Sequence, residues 1–86
     1  MPEISRFYGI VIKMFYGDHL PPHFHAQYSE YEAIINIYTL GIISGNLPPR
    51  AQGLVIEWAN IYKDKLLTDW EKAKNLEKLD KIPPLD

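Results

Sequence analysis

All three histidines of this 86-residue chain fall within seven residues, at positions 19, 23 and 25. Imidazole changes its protonation near neutral pH, so histidine is suited both to proton transfer and to metal ligation. The same stretch contains Asp18 and two consecutive prolines, which restrict the backbone around them. Residues 17–26 are therefore the predicted location of any chemistry that the chain performs.

The spacing of His23 and His25 favours general acid–base catalysis as the first interpretation. Residues at i and i+2 of a strand share one face and lie roughly 6.5–7 Å apart at the backbone. One imidazole can then accept a proton while the other donates one. With Asp18 orienting an imidazole and Arg6 or Lys13 holding a phosphate, these groups would suffice for metal-independent RNA cleavage through the 2′-hydroxyl.

Two other interpretations of the histidine cluster stay open. His-X-His on a strand is a common pair of metal ligands, to which His19 could add a third. The spacing Gly17-x5-His23-x-His25-x4-Glu30 resembles the first cupin motif, but Ile37 stands where the final glycine belongs and no second histidine motif follows. The histidines could also be purely structural residues of a sheet edge. Because no further ligand is evident outside this stretch, we predict no metal and no cofactor.

Composition excludes several classes of function. Nine basic residues stand against eleven acidic ones, which gives a net charge of −2 and no basic half. Binding of duplex DNA through phosphate neutralisation is poorly supported, whereas a short RNA held by a few residues stays open. No cysteine is present, Met1–Arg6 has no signal core, and no apolar run reaches the length of a membrane span. We expect a cytoplasmic protein without a membrane segment.

The alternation of apolar and polar residues predicts an antiparallel sheet of three to four strands. A first strand is expected at Tyr8–Tyr16, with Ile10 and Ile12 on its core face. A second is expected at about 23–28, a third near 32–38, and a short fourth at 41–44.

The period then changes from two to between three and four, which indicates helices. Proline at 48 and 49 suits a helix start. The predicted apolar stripe of the first helix is Ala51, Leu54, Val55, Trp58, Ile61 and Tyr62. A second helix, buried through Leu66, Leu67, Trp70 and Ala73, is predicted to run to about Asn75, with a capping box beginning at Thr68. Residues 76–86 are expected to form an extended tail that docks its leucines.

The pattern of strands followed by helices predicts one α+β domain over residues 1–86, with strands at about 7–44 and helices at about 49–75 packed on one sheet face. The opposite face would then present Val11, Phe15, Ile34 and Tyr38 beside the two strand histidines. A half-apolar open face is typical of an interface. We expect a homodimer or a partner protein.

Three segments resemble one family of short bacterial proteins, the domain of unknown function 4160. They are the opening Met1-Pro2-Glu3-Ile4-Ser5-Arg6-Phe7-Tyr8-Gly9-Ile10, then Asp18-His19-x-Pro21-Pro22-His23-Phe24-His25, and finally Glu57-Trp58-Ala59. The resemblance assigns the family's motif to Asp18, His19, His23 and His25, with Ile4–Tyr8 at the start. The family has no established activity, but its members look like halves of two-gene operons similar to toxin–antitoxin modules, which commonly pair a small ribonuclease with a neutralising protein.

The leading hypothesis is thus a toxin–antitoxin-type component, and in its specific form a metal-independent ribonuclease with His23, His25 and Asp18 as catalytic residues. Arg6, Tyr8, Lys13 and His19 are the predicted binding residues. The expected partners are a small protein encoded in the same operon, a second copy of the chain, or RNA. A non-enzymatic antitoxin or regulatory module that binds through the open sheet face is the alternative, and a metal-binding His-X-His protein is the second alternative.

Overall fold

The computed structural model describes residues 3–86 and has the predicted α+β fold, with one more strand than expected. Five antiparallel strands form a single sheet in chain order, and two helices follow. The elements are β1 (Glu3–Phe7), β2 (Ile10–Lys13), β3 (His23–Tyr28), β4 (Tyr31–Asn36), β5 (Ile42–Gly45), α1 (Pro49–Ile61) and α2 (Lys63–Lys74). Met1 and Pro2, which belong to the opening segment used for the signal-peptide and family arguments, lie outside the described residues.

The additional strand arises because Tyr8 and Gly9 form a turn and do not begin a strand. Both have positive φ, 51° and 80°, and Phe7 pairs with Ile10 across the hairpin. A two-residue hairpin loop with two positive φ angles matches the right-handed twist of the strands that it joins, and glycine tolerates this conformation at no steric cost. Tyr8 is consequently 58% exposed and does not lie on the core face.

The hydrophobic core lies between one face of the sheet and both helices, as the period analysis predicts. Its sheet side includes Ile10, Ile12, Phe24, Ala26 and Ile35, and its helix side includes Val55, Trp58, Leu66 and Trp70. Full burial of each large side chain contributes roughly 1.5–3 kcal/mol relative to exposure. Ile61 is an exception to the predicted stripe, because it sits at the last position of α1 and is 60% exposed.

The predicted N-cap at Thr68 is wrong. α2 begins at Lys63, directly after the end of α1, so that Thr68 lies in the middle of the helix. Its hydroxyl donates a hydrogen bond to the carbonyl oxygen of Asp64, 3.0 Å away. Threonine in a helix interior can form such a bond to the preceding turn, so the spacing of a capping box does not require a helix start.

The tail, residues 76–86, lies against the sheet and helices. Leu79 and Ile82 are buried, and the backbone N–H of Ile82 donates to the carbonyl oxygen of Ile4 at 2.8 Å. The indole N–H of Trp58 donates to the carbonyl oxygen of Pro83, also at 2.8 Å. The tail is thereby fixed to both the first strand and the first helix. No helix within residues 3–86 is long and apolar enough to cross a membrane.

Asp69 is a buried carboxylate on α2 beneath this tail. It is 1% exposed, and its Oδ1 accepts a hydrogen bond from the backbone N–H of Asp80 at 3.0 Å. Its Oδ2 has no hydrogen-bond partner in the part of the chain that the structure describes. Burial raises the pKa of Asp69 above its ordinary value, although the bond from Asp80 acts in the opposite direction.

Replacing Asp69 with asparagine should therefore change how stability depends on pH. A carboxyl group whose pKa is raised by folding contributes most stability below its unfolded pKa, and this contribution is lost as the pH rises through the folded pKa. Urea unfolding should show Asp69→Asn gaining stability relative to the wild type between pH 4 and pH 7. Asp64→Asn on the same helix controls for the loss of one carboxylate, and an Asp69→Asn difference that is constant with pH would contradict the prediction.

Candidate functional site

Asp18 lies over the start of β3, where it approaches both strand histidines. Its Oδ2 is 2.8 Å from Nε2 of His23 and 3.7 Å from Nε2 of His25. The loop that connects β2 to β3 carries Asp18 back over the strand. This loop therefore completes a three-residue cluster, Asp18, His23 and His25, which we call the histidine centre.

His23 is held from both ring nitrogens. Nδ1 is 2.7 Å from the carbonyl oxygen of Pro21, and Nε2 bonds to Asp18. The ring also packs on Trp70 of α2, with 5.1 Å between the ring centroids, and the residue is only 6% exposed. His23 therefore lies at the end of the sheet, where it touches the helix layer, and is not displayed on the open face as the strand period predicts.

His25 has a different environment on the same side of the strand. Its Nδ1 is 3.4 Å from Oε2 of Glu32, and its ring meets Phe15 edge to face at 4.5 Å between centroids. Its Nε2 is buried and has no hydrogen-bond partner among residues 3–86. The two rings of the histidine centre are 5.5 Å apart between centroids, so two imidazoles with unlike hydrogen bonding lie side by side.

Asp18 stays a carboxylate in this environment. Partial burial alone would raise the pKa of Asp18, but hydrogen bonds from the His23 ring and from the backbone N–H of His19 outweigh burial and hold that pKa below its ordinary value. The negative charge of Asp18 is consequently available both to a protonated imidazole and to a cation.

His19 belongs to the rim of the site. Its side chain is 93% exposed, and its Nδ1 lies 3.5 Å from Oδ1 of Asp18, on the opposite oxygen from the histidine centre. It forms part of a cleft of about 180 Å³ beside the centre. The cleft is lined by Asp18, His19, Leu20, Pro21, His23, His25, Ile34 and Ile43.

The other predicted binding residues lie at increasing distances from the centre. Lys13 is paired with His25 across β2 and β3, and its Nζ donates to Oε1 of Gln27 at 2.9 Å. Arg6 lies on β1, two strands from β3 and hence about 10 Å away, and forms an ion pair with Glu3 at 2.8 Å. Tyr8 is in the β1–β2 turn, beside a separate cleft. The structure brings Lys13 next to the centre but does not bring Arg6 or Tyr8 there.

Three groups of the site were not found from the sequence. Glu32 meets His25 because β3 and β4 pair with a register that places these residues diagonally across the two strands. The carbonyl of Pro21 and the ring of Trp70 both contact His23. The expected strands at about 23–28 and 32–38 are consecutive, and their pairing could have indicated that Glu32 lies near His25. A backbone carbonyl and a helix–strand contact leave no pattern in the sequence.

The chain belongs to the family described as domain of unknown function DUF4160, whose profile matches residues 9–71. This range contains Asp18 and all three histidines, whereas the opening motif Ile4–Tyr8 lies outside it. No curated protein and no solved structure matches the chain. The family membership confirms the resemblance drawn from the motif and assigns no activity to the site.

His23 and His19 should differ in their contribution to the stability of the fold. His23→Ala removes a buried ring, a hydrogen bond to Asp18 and one to Pro21, and we expect it to lower the free energy of unfolding by about 2 kcal/mol. His19→Ala removes an exposed ring and should stay within about 0.5 kcal/mol of the wild type. Equal destabilisation of the two variants in urea unfolding would contradict the geometry described above.

Proposed function

We propose that the chain is a cytoplasmic toxin–antitoxin-type component whose histidine centre cleaves RNA by metal-independent acid–base catalysis. The observation that carries this proposal is the unlike hydrogen bonding of the two imidazoles. Such catalysis needs one protonated and one neutral imidazole next to the same reacting group. The contacts of His23 and His25 fit these two roles.

His23 fits the role of proton donor. A carbonyl oxygen can only accept, so Nδ1 of His23 must donate to Pro21 at 2.7 Å. Nε2 of His23 is 2.8 Å from the carboxylate of Asp18, which is also an acceptor. A ring with a proton on each nitrogen satisfies both acceptors, and this is the form that the proposed role of proton donor requires.

His25 fits the role of base. With its Nδ1 proton directed at Glu32, its Nε2 keeps a free lone pair. The ring lies 5.5 Å from His23 between centroids, so a phosphate that takes the place of Asp18 would lie within reach of both rings. In the proposed step, His25 takes the proton of the 2′-hydroxyl as that oxygen bonds to phosphorus. Nε2 of His23, released from its contact with Asp18, gives its proton to the 5′-oxygen as the P–O5′ bond breaks.

The surroundings of the centre favour single-stranded RNA as the substrate. The cleft of about 180 Å³ suits the ribose and phosphate of one nucleotide. The exposed ring of His19 at its rim offers a surface on which a base can stack. Lys13 is the nearest cation, opposite His25 on the adjacent strand, and could hold the phosphate.

Inducible expression in a bacterial host tests this proposal. We expect the wild type to arrest growth and degrade cellular RNA, and His23→Ala and His25→Ala to be harmless. Purified wild type should cleave single-stranded RNA in the presence of EDTA and leave 2′,3′-cyclic phosphate ends. Glu71→Gln on the exposed side of α2 is the matched control that should remain active.

Folding must be verified alongside activity because His23 is buried. Circular dichroism melting of each variant separates a lost catalyst from an unfolded chain. The ribonuclease proposal fails if wild-type expression leaves growth and RNA intact, if folded histidine variants cleave normally, or if EDTA abolishes cleavage.

An interaction module is the second candidate function, and the exposed apolar surface beside the centre favours it. Ile43 on the edge strand β5 is 48% exposed, and Ile34 and Val11 on the same sheet face are only half-buried. An edge strand with free backbone groups and apolar side chains is suited to pairing with another chain. A second copy of the chain or an operon-encoded protein could cover this surface.

Sedimentation equilibrium tests the homodimeric form of this candidate. We expect wild-type dimers that dissociate in Ile43→Glu, because a charge would be buried in the interface. Ile61→Glu, on the helix layer and similarly exposed at 60%, should leave the dimer unchanged. A wild-type monomer at high protein concentration would contradict a homodimer.

A further inference from the structure

The buried Nε2 of His25 is the starting point of a second inference about the histidine centre. Buried polar atoms nearly always have a partner. Nε2 of His25 instead faces Oδ2 of Asp18 at 3.7 Å, and neither atom has a proton to offer when the ring proton lies on Nδ1. Two electron-pair donors held together in a buried place are stabilised by a shared cation.

The distances within the centre suit a single metal ion. One ligand atom from each of Asp18, His23 and His25 lies within 4.8 Å of the other two, and no other group of this kind occurs in residues 3–86. Ligand bonds of roughly 2.0–2.1 Å in a tetrahedral zinc site place neighbouring ligand atoms about 3.3 Å apart. The observed contacts of 2.8 and 3.7 Å bracket this separation.

The outer contacts of both histidines match those of metal ligands. A metal-bound histidine usually donates its second ring N–H to a carbonyl or a carboxylate, which fixes the ring and its tautomer. Nδ1 of His23 contacts the carbonyl of Pro21, and Nδ1 of His25 contacts the carboxylate of Glu32. Both Nε2 atoms are thereby directed at Asp18.

We propose that Oδ2 of Asp18 and Nε2 of His23 and of His25 form a mononuclear site for a divalent transition ion of the zinc class. Two imidazole nitrogens and one carboxylate oxygen suit Zn²⁺ or Co²⁺, whereas Mg²⁺ and Ca²⁺ require sets of oxygen ligands. A water molecule entering from the cleft completes the coordination. His19 stays outside the ligand set, since it contacts the other oxygen of Asp18.

This site goes beyond the proposed ribonuclease function and does not depend on it. A bound ion uses the same two nitrogens that acid–base catalysis requires, so the metal-bound and the proton-transferring forms exclude each other. Bound Zn²⁺ would therefore block the proposed acid–base pair. Metal affinity can be measured without any RNA. The result is therefore independent of whether the chain cleaves RNA in the presence of EDTA.

Isothermal titration of the full chain, purified without a histidine tag, tests the site. We expect Zn²⁺ to bind one to one with micromolar or tighter affinity and Mg²⁺ to give no signal. His23→Ala and His25→Ala should each weaken Zn²⁺ binding by on the order of 100-fold or more. Co²⁺ should give the intense visible absorption of a four-coordinate ion, and this absorption should disappear in both variants.

Two further variants keep the test decisive if the alanine variants fail to fold. Glu32→Gln changes a mostly exposed side chain and should weaken Zn²⁺ binding by about 10-fold, because Glu32 positions His25. His19→Ala removes the one histidine outside the ligand set and should bind Zn²⁺ as the wild type does. Absence of Zn²⁺ binding by the wild type, equal binding of Mg²⁺, or a loss in His19→Ala as large as that in His23→Ala would overturn the proposal.

Discussion

The arrangement of the site depends on His23 bridging two acceptors from the same short loop. Its Nδ1 holds the carbonyl of Pro21 and its Nε2 holds the carboxylate of Asp18, while its ring rests on Trp70. These contacts fix the loop between β2 and β3 to the start of β3. The same contacts hold Asp18 with its Oδ2 3.7 Å from Nε2 of His25. The buried imidazole of His23 thus both anchors the loop and holds the histidine centre together.

The same constraint explains why the two proposed uses of the centre exclude each other. A ring between two acceptors needs a positive charge on its Nε2 side, which either a proton or a metal ion can supply. In the proposed acid–base use a proton on Nε2 makes His23 the acid, and in the proposed metal site both rings would bind the ion. The carboxylate of Asp18, with its lowered pKa, serves either cation. The same protein geometry fits both proposed uses. Which of them operates would depend on how tightly the centre binds a metal ion.

The sequence predicts the parts of this structure that follow a simple period. Alternation predicts the core face of β2 and β3, and the i, i+2 spacing predicts that His23 and His25 lie close together, as their ring centroids, 5.5 Å apart, do. The turn at Tyr8 is missed because tyrosine is a typical strand residue, and only the pairing of Phe7 with Ile10 places it at positive φ. The sequence analysis grouped Asp18 with the two histidines, whereas it missed the contacts of the Pro21 carbonyl and of Trp70 with His23, because these depend on loop closure and helix packing that no local pattern encodes.

The charges around the centre bear on both proposals. Asp18 and Glu32 lie beside the imidazoles, and Lys13 is the basic residue opposite His25 on the adjacent strand. The chain as a whole is acidic. A polyanionic RNA therefore gains little from long-range attraction and must be held by contacts inside the cleft. A divalent ion carries one more positive charge than the proton that it replaces, so it favours an anion at the cleft while it removes the acid–base pair. Bound metal would thus strengthen the binding of an RNA phosphate while it prevents cleavage of the RNA. Only an acid–base mechanism requires binding and cleavage to respond to the metal in opposite directions.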